Sequence, residues 1–232
     1  MIIHLFPRKE KSRNIMKCLK KITLFLFFAF LSIVPVFPDI ASASSPSFTP
    51  DQLKEIAKAK QKTRYVATHW DEIKQAKNPV SGSVSIESVR QAGDILVTLD
   101  GTSSSSMWAG GHAGVVSDMS GYVVESFGNK GDLNGVRHWP NDCDTRYNQV
   151  KGLRVNGAAS GDYAYAASYA RQQIGKPYNY NFFNITTTGS FYCSQLAWRA
   201  FYNLGYDLND GGAVWPVDLI ESPLTYAFYS KG

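Results

Sequence analysis

Along this chain the spacing of apolar positions changes repeatedly, and each spacing predicts a different element. Near the start, an unbroken apolar run over residues 24–31, extended by Ile33 and Val34, follows a basic stretch and meets Pro35 and Pro38. From Asp51 the apolar residues Leu53, Ile56, Val66, Trp70 and Ile73 fall roughly at helical intervals, with Lys54, Lys58, Lys60 and Lys62 between them. This predicts a helix capped by Asp51 with its lysines on a solvated face. Residues 44–50, rich in Ser and Pro, read as a flexible leader to that helix, and Pro79 and Gly82 within residues 78–85 close it.

Beyond Gly93 the period shortens. DILVTLD at 94–100, HAGVV at 112–116, YVVES at 122–126 and VKGLRV at 150–155 are short and β-branched, the pattern of strands. The first two are joined by GTSSSSMWAGG at 101–111, a polar, glycine-rich segment that either lines a site or is simply a mobile loop. Helical spacing returns over 162–174, where Tyr163, Ala166, Ala167, Ala170 and Ile174 share a face and Gly175 and Pro177 end the element. A last helix is expected from near Ser190 to Leu204, stopped by Gly205.

The opening segment changes how the composition is read. Arg8, Lys9, Lys11, Arg13, Lys17, Lys20 and Lys21 precede the apolar run, and Ala41, Ser42 and Ala43 follow it. This predicts an export signal cleaved after Ala43, with an apolar core shorter than the roughly 20 residues of a membrane span. The other reading, an uncleaved anchor helix, is opposed by Pro35 and Pro38; translation starting at Met16 would leave a shorter signal of ordinary form. The whole chain has a net charge of +5, but its leader holds seven bases and two acids, which leaves seventeen of each. The pI near 9.0 is therefore a property of the leader, and no basic stripe remains to suggest nucleic acid as a partner. A secreted or wall-associated protein with no stable membrane insertion after cleavage is expected. Residues 44–232 are enough for one domain with a sizeable core.

With Cys18 in the leader, Cys143 and Cys193 remain, in an oxidising compartment. Either they pair, or Cys193 is a free thiol kept for its chemistry; two cysteines do not make a disulfide scaffold. Cys193 falls in the first turn of the last helix, after TTTGS at 186–190, where unpaired amides and the helix dipole favour a thiolate. The plainer reading is a buried inert cysteine, because Cys193, Leu196, Ala197, Ala200, Phe201 and Leu204 share one stripe. His112 opens a strand after a glycine pair, a place from which an imidazole can face a cleft. HAGVV and YVVES are close enough to fold as a hairpin, and an even loop would put Glu125 on the face of His112, whereas an odd loop would separate them. In the favourable register the three residues are nucleophile, base and orienting carboxylate. His69 and His138 read as structural. Cys143 has no second ligand at metal spacing, and the carboxylates are too scattered for a glycosidase pair, so neither metal nor other cofactor is expected.

GDILV at 93–97, GHAGVV at 111–116, VVESFG at 123–128, IGKPYNY at 174–180 and FYCSQLAWRAF at 191–201 resemble the NlpC/P60 superfamily in its circularly permuted papain-like branch. In the usual members the cysteine helix comes before the histidine strand. Here His112 and Glu125 come first, as in the YiiX-like group and the lecithin retinol acyltransferase relatives. The resemblance spans roughly residues 88–225 and implies nucleophile Cys193, base His112 and orienting residue Glu125. It also implies an oxyanion donor at Tyr192 or at main-chain amides of the helix start, and a cleft lined by Tyr178 and Gly111. The acyltransferase relatives carry histidine at the place of Glu125, which favours the YiiX-like group. The expected architecture is α+β: an antiparallel sheet curving into a partial barrel, the cysteine helix packed on it, with residues 44–87 as a leader and helical extension and 88–232 as the catalytic domain.

The expected function is hydrolysis of an amide or peptide bond, in cell-wall peptides such as peptidoglycan fragments. One rival is lipid ester or thioester hydrolysis, or acyl transfer, on the same residues. The other is a catalytically silent wall-binding module, for which Cys193 would be unreactive or disulfide-bonded.

Overall fold

Helix α1, Pro50–Thr68, begins on a reciprocal cap: Thr49 Oγ1 accepts from the Gln52 amide at 3.2 Å, and Gln52 Oε1 accepts from the Thr49 amide at 2.9 Å. The cap is thus Thr49 rather than Asp51, and Pro50 occupies the first helical turn, where a missing N–H costs nothing. In the computed structural model the described residues are 48–74, 90–100 and 110–232, and they belong to one compact unit. The proposed leader at 1–43, the closing segment at 78–85 and most of the polar segment 101–111 lie outside the described residues.

α1 joins the main core through Ala59, Val66 and the following Trp70, while Leu53, expected on the buried stripe, is exposed. Phe48, expected in a flexible leader, packs edge-on against Phe183. Lys62 departs from the solvated lysine row: its Nζ bonds Asp218 at 2.9 Å and Asp210 at 3.1 Å. A long cationic side chain at helix spacing gives no hint in sequence of which carboxylate it will meet, so the solvated face was the default expectation.

Six strands form one antiparallel sheet: β1 Ile95–Thr98, β2 His112–Val116, β3 Tyr122–Phe127, β4 Gly135–Pro140, β5 Val150–Val155 and β6 Thr225–Lys231. The order is β4-β3-β2-β1-β5-β6, with β4 and β6 at the two edges. With two edge strands the antiparallel sheet is not closed into a barrel, and with its helices it makes the expected α+β arrangement. β4 and β6 lie outside the strand patterns legible in the sequence. β4 ends in a proline, which an edge strand tolerates because one side of its backbone needs no partner.

Between the strands lie the one-turn helix α2, Cys143–Arg146, then α3, Ser160–Gln172, α4, Cys193–Tyr202, and α5, Pro216–Glu221. One sheet face buries Ile95, Val97, Ala113, Val115, Val124, Val136 and Leu153 in a common core with α3, α4 and α5. The other face carries Leu96, Val116, Val123 and Val150, covered by Cys143 of α2 and by Tyr147 and Tyr229. β1 is buried at all four positions because both faces are covered. α3 buries Tyr163, Ala166, Ala167 and Ala170 as its spacing predicts, but Ile174 lies past the helix end and is exposed.

Candidate active site

α4 packs against β2 and β3 and begins at Cys193 itself, which is buried. Its start is held by Gln195, whose Oε1 accepts from the Tyr192 amide at 3.2 Å and from Asn179 Nδ2 at 3.0 Å. Gln195 Nε2 in turn donates to the carbonyls of Ile185 and Thr187. Ser194 Oγ donates to Val214 O at 2.7 Å, so the first turn is tied on both sides. The sulfur accepts from the main-chain amides of Ala113 and Ser194 and is hydrogen-bonded to His112.

His112 and Glu125 come together through the hairpin register. The Ser117 amide donates to Tyr122 O at 3.0 Å, which leaves the four residues 118–121 as the loop, an even number. The pairs Gly114↔Glu125, Val115↔Val124 and Val116↔Val123 follow, so Glu125 stands diagonal to His112 on one face. With no side chain at Gly114 to block it, the carboxylate reaches His112, and Nε2 to Oε1 is 3.1 Å. The nitrogen left for Cys193 is Nδ1. The imidazole stacks on Phe127 with ring centroids 4.1 Å apart.

The electrostatics of the pair run in opposite directions. Burial by itself would disfavour the charged imidazole, but the Cys193 sulfur and the Glu125 carboxylate outweigh it and raise His112 to about 9. Burial likewise opposes the thiolate, yet His112 and the amides of Ala113 and Ser194 bring Cys193 below its ordinary value of 9.0. The arrangement favours a thiolate beside an imidazolium.

Two residues not anticipated from sequence complete this cluster. Arg146, at the end of α2, places Nη1 and Nη2 each 3.1 Å from Glu125 Oε2. Cys143 lies 3.6 Å from Arg146 Nη2 and is free, like Cys193, so the two cysteines form no disulfide. Burial and the Glu125 charge push the Cys143 thiol up to about 12, which makes it the unreactive member of the two. A one-turn helix has no periodicity to detect, and nothing in sequence singles out one arginine among the bases.

The remaining candidates fall differently. Tyr192 is buried, with its hydroxyl donating to Phe182 O at 3.0 Å and accepting from the Val214 amide at 2.9 Å; its own amide is taken by Gln195. It is thereby engaged in packing the start of α4 and has no donor to offer a substrate. Tyr178 is joined by a parallel bridge to Phe191, two residues before Cys193, and its ring lies over Gly128. Burial, then the neighbouring Cys193, push its hydroxyl well above the ordinary range, so it stays protonated. Among the described residues no group hydrogen-bonds that hydroxyl. Gly111 is buried at a φ of 129°, and a Cβ there would meet Thr98 O at 2.2 Å, so this position needs glycine to seat His112. His138 bonds Ser117 Oγ at 3.0 Å and His69 stacks on Tyr65, both away from Cys193.

Comparison with known proteins places the chain in a family. Residues 90–213 match the model of a family described as permuted papain-like amidase enzyme, YaeF/YiiX, C92 family. Over 122 residues the chain is 32% identical to the "Uncharacterized protein YycO" of Bacillus subtilis (strain 168). That alignment takes in 50% of this chain and 47% of YycO, so the chain spans about half the length of the curated relative it matches. The crystal structure of YiiX from Escherichia coli O157:H7, described as a metalloprotein, is similar with a TM-score of 0.48 at 19% identity, over 59% of this chain and 95% of that one. In this chain no group of three His, Cys, Asp or Glu side chains is placed to hold a metal ion among the described residues. Since the family match covers more than half of its length, the chain belongs to the permuted papain-like amidases of the YaeF/YiiX, C92 family.

Proposed function

We propose that this protein is an exported cysteine hydrolase that cleaves an amide or peptide bond of cell-wall peptides through Cys193, His112 and Glu125. The observation carrying this reading is the unbroken contact from the sulfur through the imidazole to the carboxylate, placed at the first residue of a helix. In the first half-reaction the thiolate adds to the carbonyl carbon, and the carbonyl electron pair moves to oxygen. Collapse expels the amine, which takes its proton from the His112 imidazolium and leaves a thioester on Cys193. In the second, a water gives a proton to His112 as its hydroxyl adds to the thioester, and collapse releases the carboxylic acid and restores the ion pair. Glu125 keeps Nε2 as a donor and stabilises the cation.

The oxyanion needs donors that the protein does not already use. The main-chain amide of Cys193, at the first helical position, has no acceptor within its helix. The Tyr178 hydroxyl, protonated and near the sulfur, is the second donor, in place of Tyr192. Export rests on the leader sequence at 1–43, and wall peptides are the amide-rich material an exported amidase meets. Among the described residues no helix is long and apolar enough to cross a membrane.

Incubation with purified muropeptides tests the reading. New free amino groups with the wild type and none with Cys193→Ala are expected. Release of fatty acid from acyl esters or thioesters without amine release would move the assignment to lipid deacylation, and an unreactive Cys193 with no turnover would leave a binding module.

A further inference from the structure

The row of contacts that starts at Cys193 continues past Glu125. Both oxygens of the Glu125 carboxylate are occupied by cationic donors: Oε1 by His112 at 3.1 Å and Arg146 Nη2 at 3.3 Å, Oε2 by both Arg146 terminal nitrogens at 3.1 Å. The carboxylate is only 1% exposed, so water contributes little to holding its charge. Arg146 is itself held in place, with the rings of Tyr147 and Phe127 at 5.1 and 5.8 Å from its guanidinium carbon and Asp142 at 3.0 Å from Nη2.

Thiolate, imidazolium, carboxylate and guanidinium then alternate in sign and sum to zero. Without the guanidinium one negative charge is left over in a buried site, a state costly enough that a proton is taken up instead. When the sulfur takes that proton the nucleophile is lost, so the thiolate forms only at higher pH.

We propose that Arg146 is a positioning residue of this site, which completes the charge row, holds the Glu125 carboxylate aimed at His112, and sets the lowest pH at which Cys193 is a thiolate. The inference rests on reading Cys193 and His112 as the reacting pair. The other groups facing the row leave the balance unchanged. Cys143, Tyr147, Tyr178 and Tyr192 are all kept neutral, chiefly by burial. Asp142 is half exposed, so solvent supports its charge. Arg137 stands across from Glu125 on β4, but its guanidinium donates to the Asp132 carbonyl.

The test is the pH profile of Cys193 alkylation by iodoacetamide in the full chain, with peptide mapping to separate Cys193 from Cys143. In Arg146→Gln the acid limb is expected to move at least about one pH unit upward, a tenfold lower rate on that limb. Arg146→Lys, which keeps the charge and loses the fork, should fall between Arg146→Gln and the wild type. In a Glu125→Gln background, Arg146→Gln should add less than about half a unit, because the two residues act as one unit. If Arg146→Gln does not fold, Arg146→Lys carries the test through its smaller shift in the same direction. Acid limbs of the Arg146 variants that coincide with the wild type, or an equal shift without Glu125, overturn the inference. A wild-type limb at the ordinary thiol value and unmoved by His112→Ala instead overturns the reading of the reacting pair.

Discussion

Glu125 crosses the sheet over Gly114, so closely that a Cβ built on Gly114 would stand 2.7 Å from Glu125 Cγ and 2.6 Å from Val123 Cγ1. Atoms do not settle at such separations. Gly114→Ala is therefore expected to displace the carboxylate from His112 and to lower kcat/KM at least about tenfold through misorientation of the base. The overpacking should cost about 1–3 kcal/mol of stability, read from urea unfolding. Unchanged kcat/KM would show that Glu125 does not orient the imidazole.

The opposed shifts of Cys193 and His112 give the pH dependence a definite sign. Below the lowered thiol pKa the sulfur is protonated and turnover falls. Above about 9 His112 loses its proton and with it the general acid for the leaving amine. The profile of kcat/KM is expected to be a bell whose alkaline limb lies near 9, while alkylation of Cys193, which needs only the thiolate, rises to a plateau without that limb.

Tyr178→Phe removes one hydroxyl that no group among the described residues hydrogen-bonds. The expected result is a kcat lower by about 10²–10³-fold with KM and melting temperature nearly unchanged, the pattern of a donor that acts only in the transition state. Tyr192→Phe, in contrast, breaks bonds to Phe182 and Val214 at the base of α4 and should lower stability first.

Away from the site, Lys62 carries the contact between α1 and α5. Lys62→Met leaves Asp218, 3% exposed, without its cation, and a destabilisation of up to about 3 kcal/mol is expected in the urea midpoint with an unchanged slope. Asp218 also accepts from the Trp215 amide at 2.8 Å, so the N-terminus of α5 should loosen with it.

These positions show how legibility divides along the chain. Elements with a repeating pattern were readable: the alanine stripe of α3, the β-branched strands β1, β2, β3 and β5, and the stripe behind Cys193. The parity argument for His112 and Glu125 could be stated in advance, but its outcome depended on whether Ser117 pairs with Tyr122, which is turn geometry rather than composition. Arg146 was invisible because its partner is distant in sequence and its helix is a single turn. The partners of Lys62 and Thr49 are hidden for a related reason: a charged or hydroxyl side chain has several admissible partners, and only the packed structure selects one. Tyr192 was assigned by its place next to Cys193, whereas its hydroxyl is turned into the core.

The central claim is that Cys193 and His112 form a thiolate–imidazolium pair. Titration of the ultraviolet thiolate absorbance, taken as the difference between wild type and Cys193→Ala, measures this directly. Thiolate that persists below the ordinary thiol value of 9.0, and is largely lost there in His112→Ala, is expected. A sulfur that ionises near its ordinary value of 9.0 with or without His112 would contradict it.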